Sequence, residues 1–167
     1  MSPHGYNIVV SNDLETQPTV NPVLTVAGAY SANDYVGTSG VAMIFTGCAA
    51  QNGGGGWLVS AKVVDAAVQS VQGELWVFDT AITPPSDNAA WSISDADANH
   101  LIAVLPMNAA DYFASALNST CDGAPPNGPK RYLCAAGSKS LYACFVTRGA
   151  PTYTSLDLYF KLSVMQD

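Results

Sequence analysis

Near the end of the chain Leu156, Leu158, Phe160, Leu162 and Val164 alternate with Asp157, Tyr159, Lys161 and Ser163. Period two with one polar face predicts a strand with one side in a core and the other wet or at a contact. The stretch Glu74-Leu75-Trp76-Val77-Phe78 behaves differently. Leu75 and Val77 would point one way and Trp76 and Phe78 the other, so both faces are apolar. Such a strand lies centrally or has its second face covered, and the expectation here is cover by another subunit. Further strands are predicted at 42–45, 57–64, 72–78, 102–105 and 141–148, most of them bounded by Gly, Pro, Asn or Asp clusters. The run Asn52-Gly53-Gly54-Gly55-Gly56 reads as a flexible turn, and Gly73 as the mark of a bulge. Ser94 is placed to cap a short helix over Asp95-Ala96-Asp97-Ala98, and a second helical turn is expected near Asn108. Residues 121–132, rich in Pro and Gly, read as an exposed loop. This spacing and turn density predict an all-β sandwich or barrel.

Composition adds a reason to look for contacts. The chain has 167 residues, which suits one domain. Only 11% of them are charged while 49% are hydrophobic, and soluble domains average about 25% charged. A chain so poor in charge is expected to hide part of its outer surface against other subunits. Net charge is −7 and the six Lys and Arg are scattered, so no basic stripe for a nucleic-acid backbone is present. No apolar run approaches the ~18 residues of a membrane helix. The first residues lack a basic, then apolar, leader pattern, which predicts synthesis and use in a reducing cytoplasm. Cys48, Cys121, Cys134 and Cys144 then read as buried thiols, with Cys121 and Cys134 the pair that could close a loop under oxidation. Residues 1–22 are polar, dotted with proline and weakly periodic, and read as an extended arm ahead of a single domain over 23–167.

The chemistry-bearing motifs are few. Asp79-Thr80-Ala81 follows an apolar strand, as the Asp-Thr-Gly/Ala loop of dimeric acid proteases does. Three residues match by chance often and the helper segment is not evident, so a turn is the better reading. Asp95 to Asn99 starts like a calcium loop, but His100 stands where a Gly is required and Pro106 where a Glu is. The only imidazoles are His4 and His100, and no Gly-x-Ser-x-Gly elbow accompanies them. The glycine run lacks a following Lys-Ser or Lys-Thr, so it is no phosphate loop. No catalytic residue, metal ligand or cofactor site is assigned. The three Trp and eight Tyr fit a core, subunit contacts or a sugar-binding face.

Three stretches together resemble a group of small tailed-phage virion proteins associated with head decoration or capsid cement. They are 24–37 (LTVAGAYSANDYVG), 75–105 (LWVFDTAITPPSDNAAWSISDADANHLIAVL) and 140–167 (SLYACFVTRGAPTYTSLDLYFKLSVMQD). The resemblance covers roughly two-thirds of the chain, in order. It implies a jelly-roll-like β-sandwich that assembles as a homotrimer on the capsid exterior, with the major capsid protein as partner and no cofactor. The insert 121–134 is longer than the group's pattern. The expected contacts are the arm, through Tyr6, Ile8 and Val10, and the strand residues Trp76, Phe78 and Tyr159. A receptor- or glycan-binding module of a phage tail or fibre is the alternative, with a dimeric acid hydrolase behind it.

Overall fold

The computed structural model describes residues 28–167, the backbone of Thr19 and Val20, and residues Pro22 and Leu24. Its strands, in chain order, begin with the short pieces β1 (Thr19–Val20), β2 (Gly28–Ala29), β3 (Tyr35–Val36) and β4 (Met43–Phe45). The long β5 (Gly55–Asp65) and β6 (Gly73–Phe78) follow, then a four-residue helix α1 (Asp95–Ala98) and β7 (Leu101–Met107). A 3₁₀ turn (Ala109–Asp111) leads into β8 (Phe113–Ala114), β9 (Ser119–Gly123) and β10 (Lys130–Leu133). β11 (Leu141–Thr147), β12 (Thr152–Tyr153) and β13 (Leu158–Gln166) complete the set.

These strands form two antiparallel sheets. The larger runs β1-β13-β5-β9-β8, with β10 also paired to β5 beyond the end of β9. The smaller runs β3-β11-β6-β7, with β4 paired to the other half of β11. Alternate residues of each sheet meet in one core. Leu58, Ala61 and Val63 of β5 and Phe160 and Leu162 of β13 face Leu75 and Val77 of β6 and Leu141 and Phe145 of β11. The rings of Phe145 and Phe160 span the two layers at 5.1 Å. The protein is an all-β sandwich, as the alternation in β13 predicts.

Several local expectations hold. Ser94 caps α1, its Oγ accepting from the backbone N–H of Asp97 at 3.1 Å. The second helical turn falls directly after Asn108. Other expectations are corrected. Residues 121–132 are not one loop: they contain the end of β9 and most of β10, both hydrogen-bonded to β5. Gly73 pairs regularly with Met107 and Thr147, and the register shift of β6 lies instead between Val77 and Phe78. Gly73 is there because the Phe145 ring lies 2.2 Å from where its Cβ would be. The glycine run is a turn only at its start, where Gly53 has φ +68°; Gly55 and Gly56 already belong to β5. The sandwich also begins inside the range assigned to the arm, since Thr19 pairs with Lys161 and Val20 with Phe160.

Both faces of β6 are covered by this chain itself. The connection between β6 and β7 folds across the outer face of the smaller sheet. There Ile82, Trp91 and Ile93 pack with Tyr35, Trp76, Phe78 and Cys144 in a second apolar cluster. Trp91 meets Trp76 edge-on at 5.4 Å and Tyr35 at 5.8 Å. The connection is clasped at its ends: the Asp79 N–H donates to the His100 carbonyl at 3.1 Å, and His100 Nδ1 lies 2.8 Å from Asp79 Oδ1.

Candidate binding surface

With the smaller sheet capped, the outer face of the larger sheet is the one that the described residues leave open. Register places its side chains in rows across the strands, because directly opposed residues of an antiparallel pair share a face. At one end of β5, Trp57 pairs with Arg131 of β10 and Met165 of β13. Beside that row Gly55 lies between Leu133 of β10 and Asp167, whose N–H donates to the Gly55 carbonyl at 3.2 Å. Midway, Lys62 pairs with Lys161 and Asp122, and its Nζ lies 3.5 Å from the Asp122 carboxylate. At the far end a row runs Tyr159, Val64, Thr120, Phe113 across four strands. An apolar end and an end that holds the Arg131–Asp167 ion pair are thus separated by a charged belt.

The glycine end is a depression. Its floor is Gly53, Gly54 and Gly55, its walls are Ala50, Gln51, Leu133 and Asp167, and its volume is about 440 Å³. At Gly55 the floor is bare because β10 and Asp167, just after β13, close on it from either side. A Cβ on Gly55 would lie 2.4 Å from the Tyr132 carbonyl oxygen and 2.8 Å from Leu133 Cδ2. Over the same gap the Arg131 guanidinium reaches the Asp167 carboxylate while its carbon sits 5.8 Å from the centroid of the Trp57 ring. Trp57 is 42% exposed and Leu133 60% exposed. Tyr132 points the other way, into the core, and donates its hydroxyl to the Cys48 carbonyl.

At the far end the apolar side chains stand out of the surface. Phe113 is 81% and Leu117 80% exposed. Phe113 precedes, and Leu117 lies within, a tight turn that the Ser115 hydroxyl holds, donating to the Asn118 carbonyl at 3.1 Å. Leu156 is also exposed and just precedes β13, at the same end of the sheet. Behind this end sits Asp65, fully buried, whose carboxylate accepts from the N–H groups of Ala67 (3.0 Å) and Ser70 (2.8 Å). Burial pushes its pKa above the ordinary carboxylate value, against the pull of those donors.

The predicted contact residues separate accordingly. Tyr6, Ile8 and Val10 lie outside the described residues. Trp76 and Phe78 do not form an open subunit-facing patch: Phe78 is fully buried and Trp76 half-buried under the chain's own connection. Tyr159 is on the open face, in the Phe113 row. Asp79 and His100 are partners, which their separate readings as turn and helix-end residues did not foresee. Phe113 and Leu117 were missed as surface residues because they follow an expected helical turn, where apolar residues would face inward.

Cys121 and Cys134 are too far apart to bridge. Cys121 pairs with Val63 near one end of β5, and the Cys134 N–H bonds the Gly54 carbonyl just before its other end. That span is roughly 30 Å at the rise of a strand, against a Cα separation of about 4.4–6.8 Å in disulfides. All four thiols are free and buried. Burial pushes Cys48 and Cys121 up to about 11 and Cys144 up to about 12. Among the described residues no group of three or more His, Cys, Asp or Glu side chains could hold a metal, and no helix is long and apolar enough to cross a membrane. Comparison with protein-family models, with curated proteins and with solved structures finds no match.

Proposed function

We propose that this chain is a capsid decoration protein that assembles as a homotrimer on the outer surface of a phage head and stabilises the shell by binding the major capsid protein. It is made in the host cytoplasm and works as an adhesive without a cofactor or a reaction of its own. The observation that carries this reading is the row Tyr159, Val64, Thr120, Phe113 with Leu117 beside it, an apolar ledge in a chain only 11% charged. Fully burying a side chain such as Phe or Leu is worth about 1.5–3 kcal/mol, and Phe113 and Leu117, as 81% and 80% exposed, have nearly all of that still to gain from a partner. The resemblance of 24–37, 75–105 and 140–167 to head-decoration proteins supplies the kind of partner. A protein that binds only the assembled shell stabilises it by about 2.7 kcal/mol per site at a hundredfold excess over Kd.

The test compares the native chain with Phe113→Asp and Leu117→Asp. Both side chains touch little of their own protein, so melting should be unchanged. Sedimentation should give a three-protomer mass for the native chain, and binding to heads stripped of it should fall at least about tenfold in the variants. A native chain that sediments as one protomer, or variants that bind heads as well as the native chain, would reject the reading. Deleting residues 1–18, which spares the edge strand at Thr19–Val20, measures the arm's share of the same binding.

The second reading, a glycan-binding module of a tail or fibre, is favoured by one separate observation, the 42% exposure of the Trp57 ring two residues along β5 from Gly55, in the floor of a depression that Gln51 and Asp167 help to wall. Immunolabelling of native particles separates the two, with head labelling for the first and tail labelling for the second.

A further inference from the structure

We propose that the open face of the larger sheet docks a polypeptide presenting a carboxylate to Lys161 beside apolar side chains for the Phe113 row, and that this partner is the shell protein. The inference rests on the decoration reading and adds to it the chemistry of the partner's surface.

Three observations carry it. First, the six Lys and Arg of a chain with 13 Asp and Glu are unevenly placed. Lys62, Lys161 and Arg131, the last held by Asp167, stand on this one face. The connection from Asp79 to His100, over the opposite face, holds Asp79, Asp87, Asp95 and Asp97 and no Lys or Arg. Second, Lys161 and Lys62 are directly opposed across β13 and β5. Like charges so placed weaken a sheet, their Cβ atoms being only about 4.5–5.5 Å apart. Asp122 answers Lys62 from the far side at 3.5 Å. Among the described residues no carboxylate lies within salt-bridge distance of Lys161, whose other neighbour across the sheet is Thr19. Lysines often keep an edge strand from pairing. Here β13 lies between β1 and β5, so Lys161 guards no edge. Its ammonium has one neighbour that repels it and, among the described residues, none that pairs with it.

Third, the lysine pair adjoins the apolar ledge. Tyr159 and Val64 lie two residues along the same strands and on the same face, about 7 Å away. Their row continues through Thr120 to Phe113, about 14 Å from Tyr159 across three strand spacings. A partner fitted to this surface carries apolar side chains along that line and a carboxylate at its Lys161 end. A wholly apolar partner would bury the ammonium unpaired, which is costly. A second copy of this chain fits less well. The carboxylates that no Lys or Arg balances lie over its opposite face, and stacking front on back adds copies in line without closing a ring.

The experiment measures binding of the full chain to stripped heads that have also been emptied of DNA, which removes nucleic-acid phosphates as the anion. It is run at about 50 and about 300 mM salt, since charge pairing weakens as salt screens it. Lys161→Gln should weaken binding at least about tenfold at the lower salt, and Lys161→Glu more. Native binding should fall as salt rises, and fall less steeply in Lys161→Gln. Ala96→Glu makes the same change of net charge as Lys161→Gln but on α1, on the opposite side of the sandwich, and should bind as the native chain does. Lys161→Glu relieves the opposed lysines, so it should melt at or above the native temperature, which separates a lost contact from a lost fold. Lys161→Glu binding like the native chain, native binding that salt leaves unchanged, or Ala96→Glu losing as much as Lys161→Gln would each overturn the inference. If Phe113→Asp loses the heads and Lys161→Glu does not, the decoration reading stands and this inference falls; if the native chain binds no heads, both fall.

Discussion

Gly56 sits opposite Tyr132 in one neighbouring strand and Gln166 in the other. A Cβ there would lie 2.2 Å from the Met165 carbonyl oxygen and 2.7 Å from the Tyr132 hydroxyl. Gly56→Ala must therefore push β13 and the core-facing Tyr132 aside, and overpacking of this kind costs about 1–3 kcal/mol. Urea unfolding should show a loss in that range, whereas Gly28→Ala, with nothing within 4 Å of its new Cβ, should be near neutral. A run of glycines in a sequence does not reveal which of them serves a torsion and which serves space: Gly53 is there for its positive φ, Gly56 for the strands that close on it. Asp65 makes a different single-residue prediction. Its folded pKa lies above its unfolded one because burial disfavours the carboxylate. The folded state thus holds the proton more tightly, and the stability that follows is present below the ordinary carboxylate value and lost as pH rises through the folded value. The native chain should therefore gain stability relative to Asp65→Asn as pH is lowered from about 7 to about 3. A stability difference that stays flat across that range would contradict the shift.

At the level of elements, the connection from Asp79 to His100 is what makes the two-faced β6 possible. Trp91→Ala would strip the cover from Trp76 and Tyr35. Trp91 is only partly buried, so the loss should be below the ~3–5 kcal/mol of a fully buried Trp, about 2 kcal/mol. Urea unfolding measures it, and the fluorescence of Trp76 should move to the red as water reaches the ring. The apolar pattern of 74–78 correctly signalled that both faces are covered. It could not say by what, since Ile82, Trp91 and Ile93 are spread through a segment of Pro, Ser, Asn and Asp with no period to mark them. The same reason hid β9 and β10. Their identity as strands depends on pairing with β5, far away in sequence, while the local signal at 121–132 is dominated by turn residues. By contrast β13 was legible because its alternation is complete and one face is uniformly core.

Across the whole molecule, the open face of the larger sheet is divided in two along its length. The Phe113 end and the Trp57 end lie at opposite ends of β5, roughly 23 Å apart at the rise of a strand, with Lys62, Lys161 and Asp122 between them. A sandwich held down at one end would present the other to the medium. None of this division could be read from residue order, because each row draws on three or four strands distant in sequence. What composition did reveal was the shortage of charge, and the structure shows where the apolar residues go instead: to a core, to a capped second cluster, and to the Phe113 end.

The four sealed thiols have a practical corollary. With their pKa values raised by burial, they stay silent toward maleimides near neutral pH. One cysteine engineered on the exterior, at Ala124 for example, would become the sole attachment point for a dye or a gold cluster. The variant with this one added cysteine can thus be tagged stoichiometrically, with every natural sulfhydryl left in place.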